Sequence, residues 1–262
     1  MEPYSHDTVR AAGPFQIFQF GTVHSTNTLA LERLQSMDVP EFTVFLADRQ
    51  TEGRGRQGKH WDSPKAAGVW MSIVVHPYLP LSVASQLTLV TAIAVRRGLA
   101  HLTGSSPNIK WPNDIFYGNR KVCGILTETT VREKQVKSAV IGIGVNVNIL
   151  PNEFPSYLQK TSTSLLAVTG KEWDRDRVAD AILKEFADCY RQFLTERSFA
   201  KFRQEWETFN HTLGKTVQVN YNHAQISGVA TGIDPDGCLI IQKNDGETIR
   251  IHSGELQMLT SS

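Results

Sequence analysis

Three short apolar runs constrain the fold more than any other feature of this chain. Residues 42–47, 69–75 and 139–148 carry no charge and are rich in valine and isoleucine. Runs of this length and composition read as strands covered on both faces, where neither side has to stay polar. Covering both faces takes helices, and the sequence supplies their periodicity. Residues 26–37 put Leu29, Ala30, Leu34 and Met37 on one stripe behind Ser25, Thr26 and Asn27, all N-cap types. Residues 82–102 hold helix formers throughout, with a serine start and basic residues toward the end, as the helix dipole favours. Residues 173–194 carry Val178, Ala181, Ile182, Phe186, Cys189, Tyr190 and Phe193 at helical spacing, with Asp174 or Asp176 as cap. A shorter aromatic helix covers 199–209. Residues 15–20 form a further strand after a polar, loose lead-in over residues 1–14. The chain up to this point therefore reads as strands interspersed with helices.

The texture changes after Asn210. Short alternating strands are punctuated by Asp-Pro-Asp-Gly at 234–237 and Asn-Asp-Gly at 244–246. Turn signals at that density indicate a small all-β barrel of about 50 residues. The expected division is a larger domain of strands and helices over residues 1–210 and a small barrel over residues 211–262.

Composition removes several functional classes. A net charge of +1 argues against a general nucleic-acid binder, which would carry a basic excess. Cys123, Cys189 and Cys238 are widely spaced and odd in number, which fits neither a disulfide framework nor a zinc site, so no metal ligands are assigned. No apolar run reaches the roughly 18 residues needed to span a membrane, and the first residues lack a signal-peptide pattern. The expectation is a cytoplasmic enzyme without a membrane partner.

Chemistry concentrates in a few stretches. In residues 50–61, Gly53, Gly55 and Gly58 interleave with Arg54, Arg56, Lys59 and His60, and Trp61 closes the run. Such a loop is either a solvated surface element or a pliable cradle for phosphate or carboxylate, since glycine lets a ligand approach the backbone and arginine offers forked donors. Lys110-Trp111-Pro112-Asn113-Asp114 must break regular structure at the proline and gather polar groups at a strand end. Gly118-Asn119 then reads as a hairpin turn into the strand that opens with Lys121. Cys123 on that strand reads as packed rather than reactive. Gly142 and Gly144, inside an apolar strand, signal close approach by a ligand or another backbone. Ser25, Thr26 and Asn27 serve either as a cap alone or also as partners of a small polar ligand.

Taken in order, Ser25-Thr26-Asn27, Gly53-Arg54-Gly55-Arg56-Gln57-Gly58 with Trp61, Lys110-Trp111-Pro112-Asn113-Asp114, Lys121 with Gly124-Ile125-Leu126 and Glu128, and Gly142-Ile143-Gly144-Val145-Asn146 resemble the biotin protein ligase family, the biotin–[acetyl-CoA-carboxylase] ligases. The likeness runs from about residue 20 to the C-terminus. It implies an α+β fold: a mixed-sheet catalytic domain around seven strands, flanked by helices and followed by an SH3-like barrel. It also implies a two-step ATP-dependent reaction. Biotin and ATP give biotinyl-5′-adenylate, and a lysine of a biotin carboxyl carrier protein then takes the biotin. By the family pattern, Ser25, Thr26, Asn27 and Gln50 hold biotin, and Trp61 packs on its tail. Gly53, Arg54, Gly55 and Arg56 form the loop that orders over biotin and adenylate. Lys121 contacts the carboxylate and α-phosphate, and Asp114 orients or deprotonates the incoming lysine. Arg54, Arg56, Lys110, Asn113 and Asn146 face the nucleotide, with Asn146 near adenine or ribose. Mg²⁺ accompanies ATP. Ser25 lies too close to residue 1 for the DNA-binding domain that many relatives carry, so no DNA partner is expected; a homodimer is left open. The nearest rival is a lipoate or octanoate ligase of related fold, and the more distant one a non-catalytic adaptor for carrier domains.

Overall fold

The computed structural model describes residues 6–221 and 224–259. β1 (Thr8–Ala12) and β2 (Phe15–Val23) form a hairpin, and α1 (Thr26–Ser36) then crosses over to β3 (Thr43–Gln50), which runs parallel to β2. β4 (Gly68–Val75) turns back antiparallel to β3, and β5 (Leu79–Pro80) is a two-residue edge piece. After α2 (Ala84–Thr103) come β6 (Asn108–Lys110), β7 (Asp114–Tyr117), β8 (Arg120–Arg132) and β9 (Gln135–Asn146). These nine strands make one mixed sheet in the order β1-β2-β3-β4-β9-β8-β7-β6, with β5 beside β9. The sheet is larger than the expected seven strands. The lead-in is not wholly loose either: residues 8–12 form its edge strand, because Gly13, at φ 58°, turns the chain back onto β2.

The apolar runs are buried on both faces as their composition requires. Val44, Leu46 and Ile73 face one core, while Phe45, Ala47 and Val74 face the other, the alternation inherent to a strand. α1 covers the second face through Leu29 and Ala30. The first face is covered by α2 and by α4 (Arg175–Glu196), which follows the short α3 (Leu165–Thr169). Of the two candidate caps, Asp174 accepts from the amides of Asp176 and Arg177 at 2.8 and 3.2 Å. α2 and α4 meet closely at Gly98, where an added Cβ would stand 2.9 Å from the Ala181 carbonyl oxygen. α5 (Ala200–Thr208) is tied to α2 by Glu205, which accepts from Arg96 Nη2 at 2.7 Å and from Arg97 Nε at 3.1 Å.

The C-terminal strands are β10 (Thr216–Tyr221), β11 (Ala224–Ile233), β12 (Leu239–Gln242), β13 (Thr248–Ile251) and β14 (Glu255–Met258). They form a separate antiparallel sheet in the order β13-β12-β11-β10-β14, so the last strand returns to pair with the first. This is the small β unit expected from the turn signals. Trp111 joins it to the larger sheet. Its amide donates to Thr212 Oγ1 at 3.0 Å, and its indole N–H donates to the Gly237 carbonyl at 3.2 Å.

Candidate active site

Two clefts meet at the C-terminal end of β3 and the β7–β8 hairpin. The inner one, with an empty volume of about 460 Å³, is lined by Ser25, Thr26 and Asn27 from the start of α1, and by Gln50 at the end of β3. Arg54, Gly55, Arg56 and Trp61 close it from the glycine loop, with Asn113 and Lys121 at its mouth. The outer cleft, about 1830 Å³, is lined by Lys110, Asn113, Asp114 and Asn146 on one side and by residues 254–258 of β14 and its approach on the other. Gly55, Arg56, Trp61, Asn113 and Lys121 belong to both clefts. Gly53 lines neither; it lies under the loop, where an added Cβ would stand 2.8 Å from Ser63 Oγ.

The inner cleft is built by polar groups that fix one another. Ser25 caps α1, accepting from the Thr28 amide at 3.4 Å. Thr26 donates from its amide and its hydroxyl to Gln50 Oε1, at 2.9 and 3.1 Å. Gln50 Nε2 donates in turn to Ser63 Oγ at 2.8 Å. Ser72, fully buried in β4, places its hydroxyl 2.7 Å from Thr26 Oγ1 and 2.6 Å from Asn27 Oδ1. So the triplet at 25–27 is a cap and also part of a buried network, where each polar group needs a partner.

The strand glycines have a specific task. Gly124 and Gly144 are register partners on β8 and β9, and together they make a bare patch on the sheet. Trp61 lies on that patch: an added Cβ at Gly144 would stand 2.5 Å from its Nε1, and one at Gly124 2.9 Å from its Cζ3. Gly142, one alternation further along β9, makes the same room for Asn27. The close approach signalled by these glycines is therefore made by side chains of the site.

The loop itself is a small closed structure. The Trp61 amide donates to the Gly53 carbonyl at 2.8 Å, and the Gly55 amide to the Lys59 carbonyl at 2.7 Å. Gln57 and Gly58, at φ 56° and 74°, turn its tip. Arg54 pairs with Glu128, and Lys59 pairs with Glu255 of β14. Arg56 donates to Asn113 Oδ1 at 3.2 Å, and Asn113 Nδ2 donates to the Ile125 carbonyl at 2.9 Å. Lys121 Nζ lies 5.0 Å from the centre of a Trp61 ring. Asn146, at the rim of the outer cleft, donates to the Thr163 carbonyl at 3.0 Å.

Electrostatically, the shared wall gathers cations around one carboxylate. Burial lowers the pKa values of Arg56 and Lys110 from their ordinary levels, and the charge of Asp114 works against that fall in both. Cys123, buried beneath the hairpin, has its thiol pushed far up by desolvation, so it is packing and not a nucleophile.

Residues 20–146 match the Biotin/lipoate A/B protein ligase family, and residues 212–259 match the Biotin protein ligase C terminal domain. The Bifunctional ligase/repressor BirA of Bacillus subtilis is 38% identical over 236 residues, covering 90% of this chain and 72% of that protein. The chain belongs to the biotin protein ligase family. The Biotin–[acetyl-CoA-carboxylase] ligase of Mycobacterium tuberculosis is 29% identical over 88% of this chain and 85% of its own. The Aquifex aeolicus biotin protein ligase, solved in complex with biotin and ATP, superimposes with a TM-score of 0.80 at 32% identity, covering 94% of this chain and 99% of that one. Within the family frame, three polar residues of this site carried no role in the sequence reading: Ser63, Ser72 and Glu128. Ser72 left one trace, a lone hydroxyl in an otherwise apolar strand.

Proposed function

We propose that this chain is an ATP-dependent biotin–protein ligase, with a catalytic unit over residues 1–210 and a small β unit over 211–262. The observation that carries the reading is the wall common to both clefts, Gly55, Arg56, Trp61, Asn113 and Lys121. A carboxylate in the inner cleft and a nucleotide in the outer one meet there, beside two cations. Both reactants are anionic, so their approach costs Coulomb energy that Arg56 and Lys121 offset. The biotin carboxylate oxygen attacks the α-phosphorus and pyrophosphate leaves, giving biotinyl-5′-adenylate. The ε-amine of a carrier-domain lysine then attacks the acyl carbon, loses a proton and expels AMP. Asp114, which lines the outer cleft, orients that amine or accepts its proton.

Ser25, Thr26, Asn27 and Gln50 hold the polar end of biotin, and Trp61 covers its chain. Arg54 and Arg56 close the loop, while Lys110, Asn113 and Asn146 face the nucleotide. Mg²⁺ travels with nucleoside triphosphates, taking most ligands from phosphate and water and one or two from carboxylates. Among the described residues no cluster of three His, Cys, Asp or Glu side chains could hold an ion alone. The Asp114 carboxylate, which lines the outer cleft and is paired with Lys121, would be the protein donor to a nucleotide-borne ion, which would neutralise phosphate charge. The acceptor is a biotin carboxyl carrier protein. No helix among the described residues is long and apolar enough to cross a membrane.

Biotin-dependent ATP–pyrophosphate exchange tests the reading. Exchange with biotin and none with lipoate is the expected result. Exchange with lipoate alone would replace it with the rival ligase, and exchange with neither would leave a carrier-domain adaptor.

A further inference from the structure

Glu128 holds both walls of the inner cleft with one oxygen. It lies on β8, and its Oε2 accepts from Asn27 Nδ2 at 2.9 Å while also pairing with Arg54 of the glycine loop. Asn27 belongs to the floor of the cleft and Arg54 to its cover, and no short stretch of chain joins the two. The chemistry leaves Asn27 a single orientation. The Glu128 carboxylate and the Leu126 carbonyl, 3.3 Å from Nδ2, can only accept, so the amide nitrogen faces them and Oδ1 faces the Ser72 hydroxyl. Gly142 lies against the same amide, so the side chain is packed in place.

We infer that Glu128 is a positioning residue that couples the biotin-holding floor to closure of the Arg54 loop. It touches no reacting atom and acts through Asn27 and Arg54. A partly exposed ion pair alone contributes little. Here the same carboxylate also sets the direction of an amide that lines the cleft, and charge-assisted bonds of that kind are the stronger class. Fixing Asn27 and holding Arg54 therefore favour each other: a ligand seated against the floor makes loop closure easier, and a closed loop retains that ligand. This inference rests on the biotin-ligase reading of the site.

The test uses the full chain. Glu128→Gln keeps the size and an acceptor oxygen but removes the charge, so the bonds from Asn27 and Arg54 lose their charge assistance. Labelled biotinyl-adenylate is formed in place from biotin and ATP, and its release is followed after a chase with unlabelled biotin. We expect release about tenfold faster and a biotin KM about tenfold higher, with kcat of exchange falling less than about threefold. Arg54→Gln accelerates release similarly, and the double variant releases no faster than either single one, because both remove the same link. Glu128→Asp, which keeps the charge on a shorter arm, restores part of the retention and keeps the test valid should the glutamine variant fold poorly. Equal release from wild type and Glu128→Gln, or effects of the two substitutions that multiply, would overturn the inference alone. A wild-type protein without biotin-dependent exchange would overturn the functional reading and this inference with it.

Discussion

Lys121 Nζ stands 2.7 Å from Asp114 Oδ1, across the hairpin of β7 and β8. The pair is ionic, and Oδ1 is buried without a well-angled hydrogen bond. The lysine is thus held at the wall common to both clefts by a counter-ion that an arriving phosphate can relieve. Its neighbour Cys123 points into the core, so the hairpin is anchored from beneath and does not depend on Lys121 for its shape.

Lys121→Ala should therefore lower biotin-dependent exchange by about 10²–10³-fold, the scale of losing one charge-stabilising group. Because a partly exposed pair contributes about 0–1 kcal/mol, Tm should move by only a few degrees. Exchange kinetics beside a thermal melt check both halves, and a wild-type exchange rate would remove Lys121 from the chemistry.

Arg56→Gly removes the donor to Asn113 and the guanidinium common to the clefts. Adenylate formed on this variant should dissociate about tenfold faster, since a charge-assisted contact is lost from the cover. Filter retention of labelled adenylate over time measures this, and unchanged retention would count against Arg56 as a latch.

Gly144→Ala inserts a methyl group where Trp61 now lies, 2.5 Å from its Nε1. Trp61 must lift or the strand must shift, and overpacking of this kind costs about 1–3 kcal/mol. Biotin affinity measured by calorimetry should fall with that displacement. A variant that binds biotin as wild type does would show that the tryptophan is not fixed by the bare patch.

His211 stacks on Phe116, with ring centroids 5.0 Å apart, and its pKa is lowered to about 4, mainly by burial and further by Lys215 and Lys110. The folded value lies below the ordinary 6.5, so the unfolded chain binds the extra proton between those two values. Stability from this group is complete above the ordinary pKa and is lost as pH falls through about 4. His211→Phe should flatten the pH dependence of Tm between those limits. An unchanged slope would assign the acid sensitivity to other groups.

The strands β3, β4 and β9 were legible through their apolar runs at 42–47, 69–75 and 139–148, the signature of burial on both faces, while the charged ends of β3 and β9 were not, and α4 was legible because Asp174 caps a complete stripe. β1 and β14 were not, since edge strands need no apolar face and draw their order from partners distant in sequence. The turn at Glu133 and Lys134 was also silent: both adopt positive φ without glycine or asparagine. At the site, the loops announced themselves through glycine and arginine. Ser72 did not, because its place is set by register: Ser72, Gly142 and Leu126 are cross-strand neighbours on β4, β9 and β8, which no local pattern encodes.

Trp111 has a consequence for how the molecule comes apart. Its buried indole and amide are both satisfied by the C-terminal segment, and Leu239 and Val217 share one apolar core with Leu89 and Val69. Peeling away the second sheet would strand a buried amide and wet a tryptophan at the same moment, a penalty neither part can meet alone. The two sheets should melt in a single calorimetric transition, with van't Hoff and measured enthalpies in agreement. The C-terminal strands are thus no detachable bead on a string: a chain shortened to its first sheet would lose cooperativity before it lost any residue of the inner cleft.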